Sequence, residues 1–217
     1  TMNGINLLNR LPFDGLRANG IKGENMAAKP GERKLQILQT VAEMLEQPKG
    51  EKITTAALAA RLNLSEAALY RHFASKAQMF EGLIEFIEQT VFSLINKITQ
   101  EEKSGVKQVE EIVSMLLNFA QKNRGMTRVL IGDALVNENE RLQQRINQLL
   151  DRIEATLKQS LRMAATQGEM GEAVDVGAHA NLLVCYVIGR WTQFAKSGFS
   201  REPMAQWLAQ LEILLRK

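Results

Sequence analysis

From Glu32 onward apolar residues recur every three or four positions, and no segment sustains a two-residue alternation. A period near 3.6 puts those side chains on one face of a helix, whereas a half-buried strand needs a period of two. Leu35, Leu38, Val41, Ala42 and Leu45 share such a face. The chain carries 4 prolines in 217 residues, so little in it forbids helix. The expected fold class is all-α.

Breaking residues divide this period into segments. Pro48 and Gly50 end the first helix, which begins near Glu32. Thr54 and Thr55 precede a capped short helix, Asn63-Leu64 make a turn, and Ser65 caps a second short helix from Glu66 to Phe73. Ser75 caps a long helix from Lys76 to about Glu102, which Ser104-Gly105 close. Further helices are expected at 106–122, 138–167, 175–197 and 203–216, with a short one near 126–135. Their breaks fall at Asn123–Gly125, Asn137, Gly168–Gly171 and Gly198–Pro203. Residues 1–25 follow no period. Gly4, Gly15, Gly20 and Gly23 interrupt them, and they read as a disordered leader or a cloning remnant before a natural start at Met26.

A composition of 45% hydrophobic and 24% charged residues excludes a wholly disordered chain and allows a sizeable core. Cys185 is the single cysteine, so no internal disulfide forms and a reducing, cytoplasmic setting is expected. No apolar run is long enough for a membrane span, and no charged segment followed by an apolar one marks a signal peptide.

The stretch from Ile53 to Lys76, ITTAALAARLNLSEAALYRHFASK, carries the functional signal. Two short helices joined by a tight turn suit a helix-turn-helix. In that motif the second helix lies in the DNA major groove while the first crosses the backbone. Thr54, Thr55 and Ser65 offer hydroxyls at helix starts. Glu66, Ala67 and Ala68 open the second helix, where a carboxylate can accept from a cytosine amine and an alanine can approach a thymine methyl. Tyr70, Arg71, His72 and Lys76 place donors where phosphates would run. Between Lys29 and Lys76 eight basic residues face five acidic ones, an excess equal to the net charge of +3 of the whole chain. That is a modest electrostatic footprint.

Leu69, Tyr70, His72, Phe73, Ser75 and Lys76 form an L-Y-x-H-F-x-S-K core that resembles the N-terminal domain of the TetR family of regulators. The resemblance reaches from about residue 32 to 162, through LQQRINQLLDRIEATLKQSLR, and is strongest to members that act in nucleoid occlusion. It implies a helix-turn-helix DNA-binding domain at 26–76 and a helical regulatory and dimerisation domain at 77–217. It further implies a homodimer on a palindromic double-stranded DNA site, located on the nucleoid, that antagonises the tubulin-like division protein FtsZ when bound to DNA. Base contacts would fall to Glu66, Ala67 and Ala68, and phosphate contacts to Thr55, Tyr70, His72 and Lys76. The segment MAAKPGERK departs from the pattern in being weakly basic, so an arm contact to DNA is not expected.

On the long helix Phe80, Leu83, Ile84, Ile87, Val91, Leu94 and Ile98 form the core stripe, and Phe86 stands about 120° from its centre. The resemblance places the FtsZ tail in a groove beside this helix, with Met115, Asn118 and Lys122 on the next helix as neighbours of Phe86. Helix 138–167 reads as a surface helix packed on a core through Leu142, Ile146, Leu149, Ile153 and Leu157. Helix 175–197 is apolar nearly all round, which marks burial. With the C-terminal helix beside it, that burial is expected to need a second subunit, through Tyr186, Ile188, Trp191, Trp207 and Leu211.

No enzyme is expected and no cofactor is implied. Ser104-Gly105-Val106-Lys107 matches S-x-x-K without its partner motifs, and Asn63-Leu64-Ser65 is an accidental sequon. His179 and Cys185 lack further metal ligands nearby in sequence, and His72 lacks a nucleophile with an acidic orienter. Two classes of function remain. One is a DNA-bound scaffold that inhibits a division protein. The other is a transcriptional repressor holding a small effector in its C-terminal core, for which Asn118, His179, Asn181, Tyr186, Thr192 and Gln193 are the few polar lining candidates.

Overall fold

The computed structural model describes residues 30–47, 53–136, 138–171 and 174–215. The expected leader at 1–25, the start at Met26, the Pro48–Gly50 break and the break at Asn137 lie outside them. Every regular element among the described residues is helical: α1 (Pro30–Leu45), α2 (Thr55–Arg61), α3 (Glu66–Tyr70), α4 (Lys76–Glu101), α5 (Gly105–Lys122), α6 (Arg124–Leu130), a 3-10 turn (Asp133–Leu135), α7 (Glu140–Thr166), α8 (Val176–Lys196) and α9 (Trp207–Leu214).

The caps explain the boundaries. Thr54, Ser65, Ser75, Ser104, Asn139 and Asp175 each stand just before a helix, and each accepts a backbone N–H of its first turn. The expected helix at 126–135 is α6 followed by a separate 3-10 turn, because Gly132 takes φ +77° between them. The expected helix at 203–216 begins later, at Trp207. Gln206 is left-handed there, and the Arg190 guanidinium donates to the carbonyls of Glu202, Pro203 and Ala205, holding that stretch out of helix.

One continuous core joins the chain. It runs from Ile37, Val41 and Leu58 through Leu83, Ile87 and Val91 to Leu116, Leu149, Leu157 and Trp191. In α4 the stripe residues Phe80, Leu83, Ile84, Ile87, Val91 and Ile98 are buried as expected, while Leu94 is half-buried. Helices α5, α7 and α8 pack on one another, α4 packs against α1, α5, α6 and α7, and α1 packs on α6. Two glycines permit the closest approaches. A Cβ at Gly125 would lie 1.9 Å from the Ala42 carbonyl oxygen, where α6 meets α1. One at Gly105 would lie 2.2 Å from the Ala164 nitrogen, where α5 meets α7. A bidentate pair ties α7 to α4: Arg145 donates from Nη2 to Glu88 Oε2 at 2.6 Å and from Nε to Oε1 at 3.2 Å. That bond raises the Arg145 pKa, outweighing the lowering that its partial burial brings.

Candidate nucleic-acid interface

Helices α2 and α3 are built on a small apolar base. Ile53, Leu58, Ala59, Leu69 and Phe73 are buried, and all but Ala59 belong to one core cluster with Leu38, Val41 and Leu45 of α1 and Phe80 of α4. Between them, α2 ends on Asn63 at φ +53°. The Leu64 N–H donates to the Ala59 carbonyl at 2.9 Å, and the Asn63 N–H donates to Ala60 at 3.1 Å. This is the double bond of a Schellman ending, with asparagine in the left-handed position that glycine usually takes. It turns the chain sharply enough for α3 to pack against α2. Ser65 then starts α3 by accepting from the Ala68 N–H at 3.1 Å. After Phe73, Ser75 accepts from the Gln78 N–H, and Gln78 Oε1 accepts from the Ala74 N–H at 2.8 Å, closing the start of α4 from both sides.

This scaffold leaves one set of side chains outward. Thr54, Ser65, Glu66, Ala67, Tyr70 and Arg71 are exposed, while Thr55, Ala68, His72 and Lys76 are half-buried. Tyr70 is 44% exposed, high for a large aromatic ring. The surface therefore presents small side chains at Ala67 and Ala68 between a carboxylate and a row of donors. Two placements go beyond the sequence reading. The Thr55 hydroxyl donates to Glu66 Oε2 at 2.6 Å, so it holds the acceptor expected to read a base. The Lys76 ammonium pairs with Glu138, in the segment leading into α7. Neither contact has a signature in the spacing, since the partners lie 11 and 62 residues apart.

Around α4 the other expected site divides. Phe86 is half-buried and packs against the central core despite lying off the main stripe, because α4 is covered by helices on more than one side. Met115 is buried at 4% exposure and faces inward. Asn118 is half-buried and donates to the Ser114 carbonyl, and Lys122 is exposed near the end of α5.

In the C-terminal helices, Trp191 and Trp207 are buried within the single chain, at 1% and 5% exposure. Trp191 Nε1 donates to the Leu116 carbonyl at 3.1 Å. Burial of these two rings needs no second subunit. Tyr186, Ile188 and Leu211 are half-buried against the same core. Helix α8 is not covered all round. Asn181, Leu182, Cys185 and Gly189 form an exposed stripe at helical spacing, with Leu182 54% exposed. Leu208 and Ile213 of α9 are 74% and 75% exposed.

A model of the bacterial regulatory proteins of the tetR family matches residues 38–83, and a SlmA-like model described as a tetracyclin repressor-like C-terminal domain matches residues 103–217. The chain belongs to the TetR family. Within that family it is similar to proteins named nucleoid occlusion factor SlmA. The one from Alteromonas mediterranea is 50% identical over 184 residues, covering 85% of this chain and 94% of the relative. The one from Shewanella pealeana is 51% identical over 179 residues, covering 82% and 91%. Among solved structures, a TetR transcription regulator from Haloarcula marismortui superposes with a TM-score of 0.72 at 15% identity, covering 85% of this chain and 97% of that one. The fatty acid degradation regulator FadR from Bacillus halodurans gives 0.71 at 15%, covering 88% and 97%. The chain shares its fold with these structures. No helix among the described residues is long and apolar enough to cross a membrane.

Proposed function

We propose that the chain is a nucleoid occlusion factor: a dimer that reads a palindromic DNA site through α2 and α3 and, when bound there, antagonises FtsZ assembly over the chromosome. The observation that carries this reading is the exposed Thr54, Ser65, Glu66, Ala67, Tyr70 and Arg71, with the half-buried Thr55, Ala68, His72 and Lys76 beside them, on a chain about half identical to nucleoid occlusion factors along most of its length. Small side chains at the start of α3 let its backbone approach the groove floor, and the flanking donors suit phosphates. Residues 26–76 take the DNA-binding role and 77–217 the dimerisation and regulatory one. A second subunit would cover the exposed stripe of α8 and the apolar side of α9. A palindrome requires that two-fold arrangement.

The alternative, a repressor opened by a small effector, needs polar groups free to grip a ligand in the bundle. The named candidates are engaged within the fold. Asn118 donates to the Ser114 carbonyl, Asn181 to Glu154, and Thr192 to the Ile188 carbonyl. The His179 ring bonds the Leu214 carbonyl, Tyr186 donates to Gln210, and Gln193 accepts from Arg190. That supports the scaffold reading.

The test is sedimentation of FtsZ polymers with and without specific DNA, together with a titration of the FtsZ C-terminal tail. Wild type should bind the tail and disperse polymers, more strongly with DNA. Lys122→Glu should weaken tail binding while leaving DNA binding intact, and its effect should shrink as salt rises. Phe86→Ala should weaken tail binding roughly tenfold or more, and equal binding would move the tail site away from Phe86. Absence of tail binding by the wild type, with or without DNA, would return the effector-binding repressor.

A further inference from the structure

The Lys76–Glu138 pair joins the start of α4, beside the helix-turn-helix, to the segment that leads into α7. It stands at a cleft of about 680 Å³. Thr54, Thr55, Tyr70, Arg128, Asp133 and Val136 line that cleft with the pair. The Lys76 side chain is 30% exposed and that of Glu138 is 19% exposed, so the carboxylate is the more deeply held of the two. The Lys76 ammonium also stands 5.7 Å from the centre of the Phe80 ring. Lys76 is thus drawn inward, on the same rim that carries candidate phosphate contacts.

We propose that Glu138 sets DNA affinity by competing with a backbone phosphate for the Lys76 ammonium. The proposal rests on reading Lys76 as a phosphate contact. Both anions attract one charge on one nitrogen. A phosphate that captures it leaves Glu138 part-buried beside a second negative group, which opposes the capture. Glu138 immediately precedes Asn139, the cap of α7, so the competition also links the DNA face to the regulatory bundle. Whatever draws Glu138 away strengthens DNA binding, and DNA that takes Lys76 loosens the segment before α7. The coupling is equal in both directions.

The experiment is a fluorescence-anisotropy titration over a range of salt. It uses a duplex selected from a random pool by the wild-type protein and an unrelated duplex of the same length. The proteins are wild type, Glu138→Gln, Glu138→Asp, Lys76→Ala, the double variant Lys76→Ala/Glu138→Gln, and Glu140→Gln as a charge control on the exposed first turn of α7. Lys76→Ala should bind both duplexes more weakly, with the log–log salt slope flattened by about one unit per subunit. Glu138→Gln should bind both about twofold to fivefold more tightly per subunit, the range of an incompletely buried ion pair. That gain should vanish in the Lys76→Ala background. Glu138→Asp, which keeps the charge but withdraws the oxygens by one methylene, should also bind more tightly, and it carries the test if Glu138→Gln fails to fold. Equal or weaker binding by a folded Glu138→Gln overturns the proposal. A gain that persists without Lys76, or that Glu140→Gln reproduces, is a long-range charge effect and overturns it as well. If Lys76→Ala binds DNA like wild type, the phosphate reading of Lys76 fails, and the inference fails with it.

Discussion

Glu66 and Ala67 occupy neighbouring exposed positions on α3 with opposite demands. The Glu66 carboxylate is useful only if its direction is fixed, and the Thr55 hydroxyl bond at 2.6 Å fixes it. In the proposed DNA reading, Ala67 serves by being small. Ala67→Glu should abolish specific binding with little loss of fold, since the side chain is outside the core and a second carboxylate would face base edges and phosphates. An unchanged footprint on the selected duplex would show that α3 is not the reader. These proposed roles rest on residue type and position, both of which the sequence supplies. The Thr55–Glu66 bond was not legible there, because it depends on how the Asn63 turn sets α3 against α2.

At the scale of elements, two junctions carry testable weight. Gly125 lets α6 lie directly on α1, and a Cβ there would meet the Ala42 carbonyl oxygen at 1.9 Å. Gly125→Ala should therefore destabilise the protein by about 1–3 kcal/mol or more, as overpacking does, measured by urea denaturation. At the start of α8 the Asp175 carboxylate accepts the N–H groups of Ala178 and Gly177, which lower its pKa below the ordinary value of 3.8. A lowered folded pKa gives stability that is present above the unfolded value and lost as pH falls through the folded one. Asp175→Ala should melt below wild type at neutral pH, and the two should converge in acid beneath the folded pKa. A difference that persists there would assign the effect to something other than the charged cap. The caps at Thr54, Ser65 and Ser75 are readable from the sequence, because Ser and Thr before a helical period have a direct chemical role, whereas Ser104 reads there as a helix end and Asn139 and Asp175 do not read as caps. The late start of α9 was not readable, since three carbonyls bound by Arg190 come from residues 12 to 15 positions further along the chain.

For the whole molecule, the uneven burial of α8 separates folding from the proposed dimerisation. Trp191 belongs to the core of one chain, whereas Leu182 stands 54% exposed on it. Leu182→Asp should leave the subunit folded and break the dimer, because an unpaired carboxylate in a covered interface costs several kcal/mol. DNA affinity should fall with it, since one subunit supplies half the contacts. Trp191→Ala should instead unfold the chain, by about 3–5 kcal/mol. Sedimentation and thermal melting distinguish the two. A stable DNA-binding dimer of Leu182→Asp would move the interface elsewhere.

The helical class, most element boundaries and the outward face of the helix-turn-helix are set by local chemistry: hydrophobic period, capping side chains and breakers act within a few residues of themselves. The burial of Trp191, Trp207 and Met115, the covering of Phe86 and the pairing of Lys76 with Glu138 are set by which helices meet. A residue's distance from the centre of one helical stripe says which way it points. Only the packing of several helices around α4 and α8 decides whether another element is there to cover it. Partners 62 residues apart, such as Lys76 and Glu138, come together through that packing alone, because no local period links them.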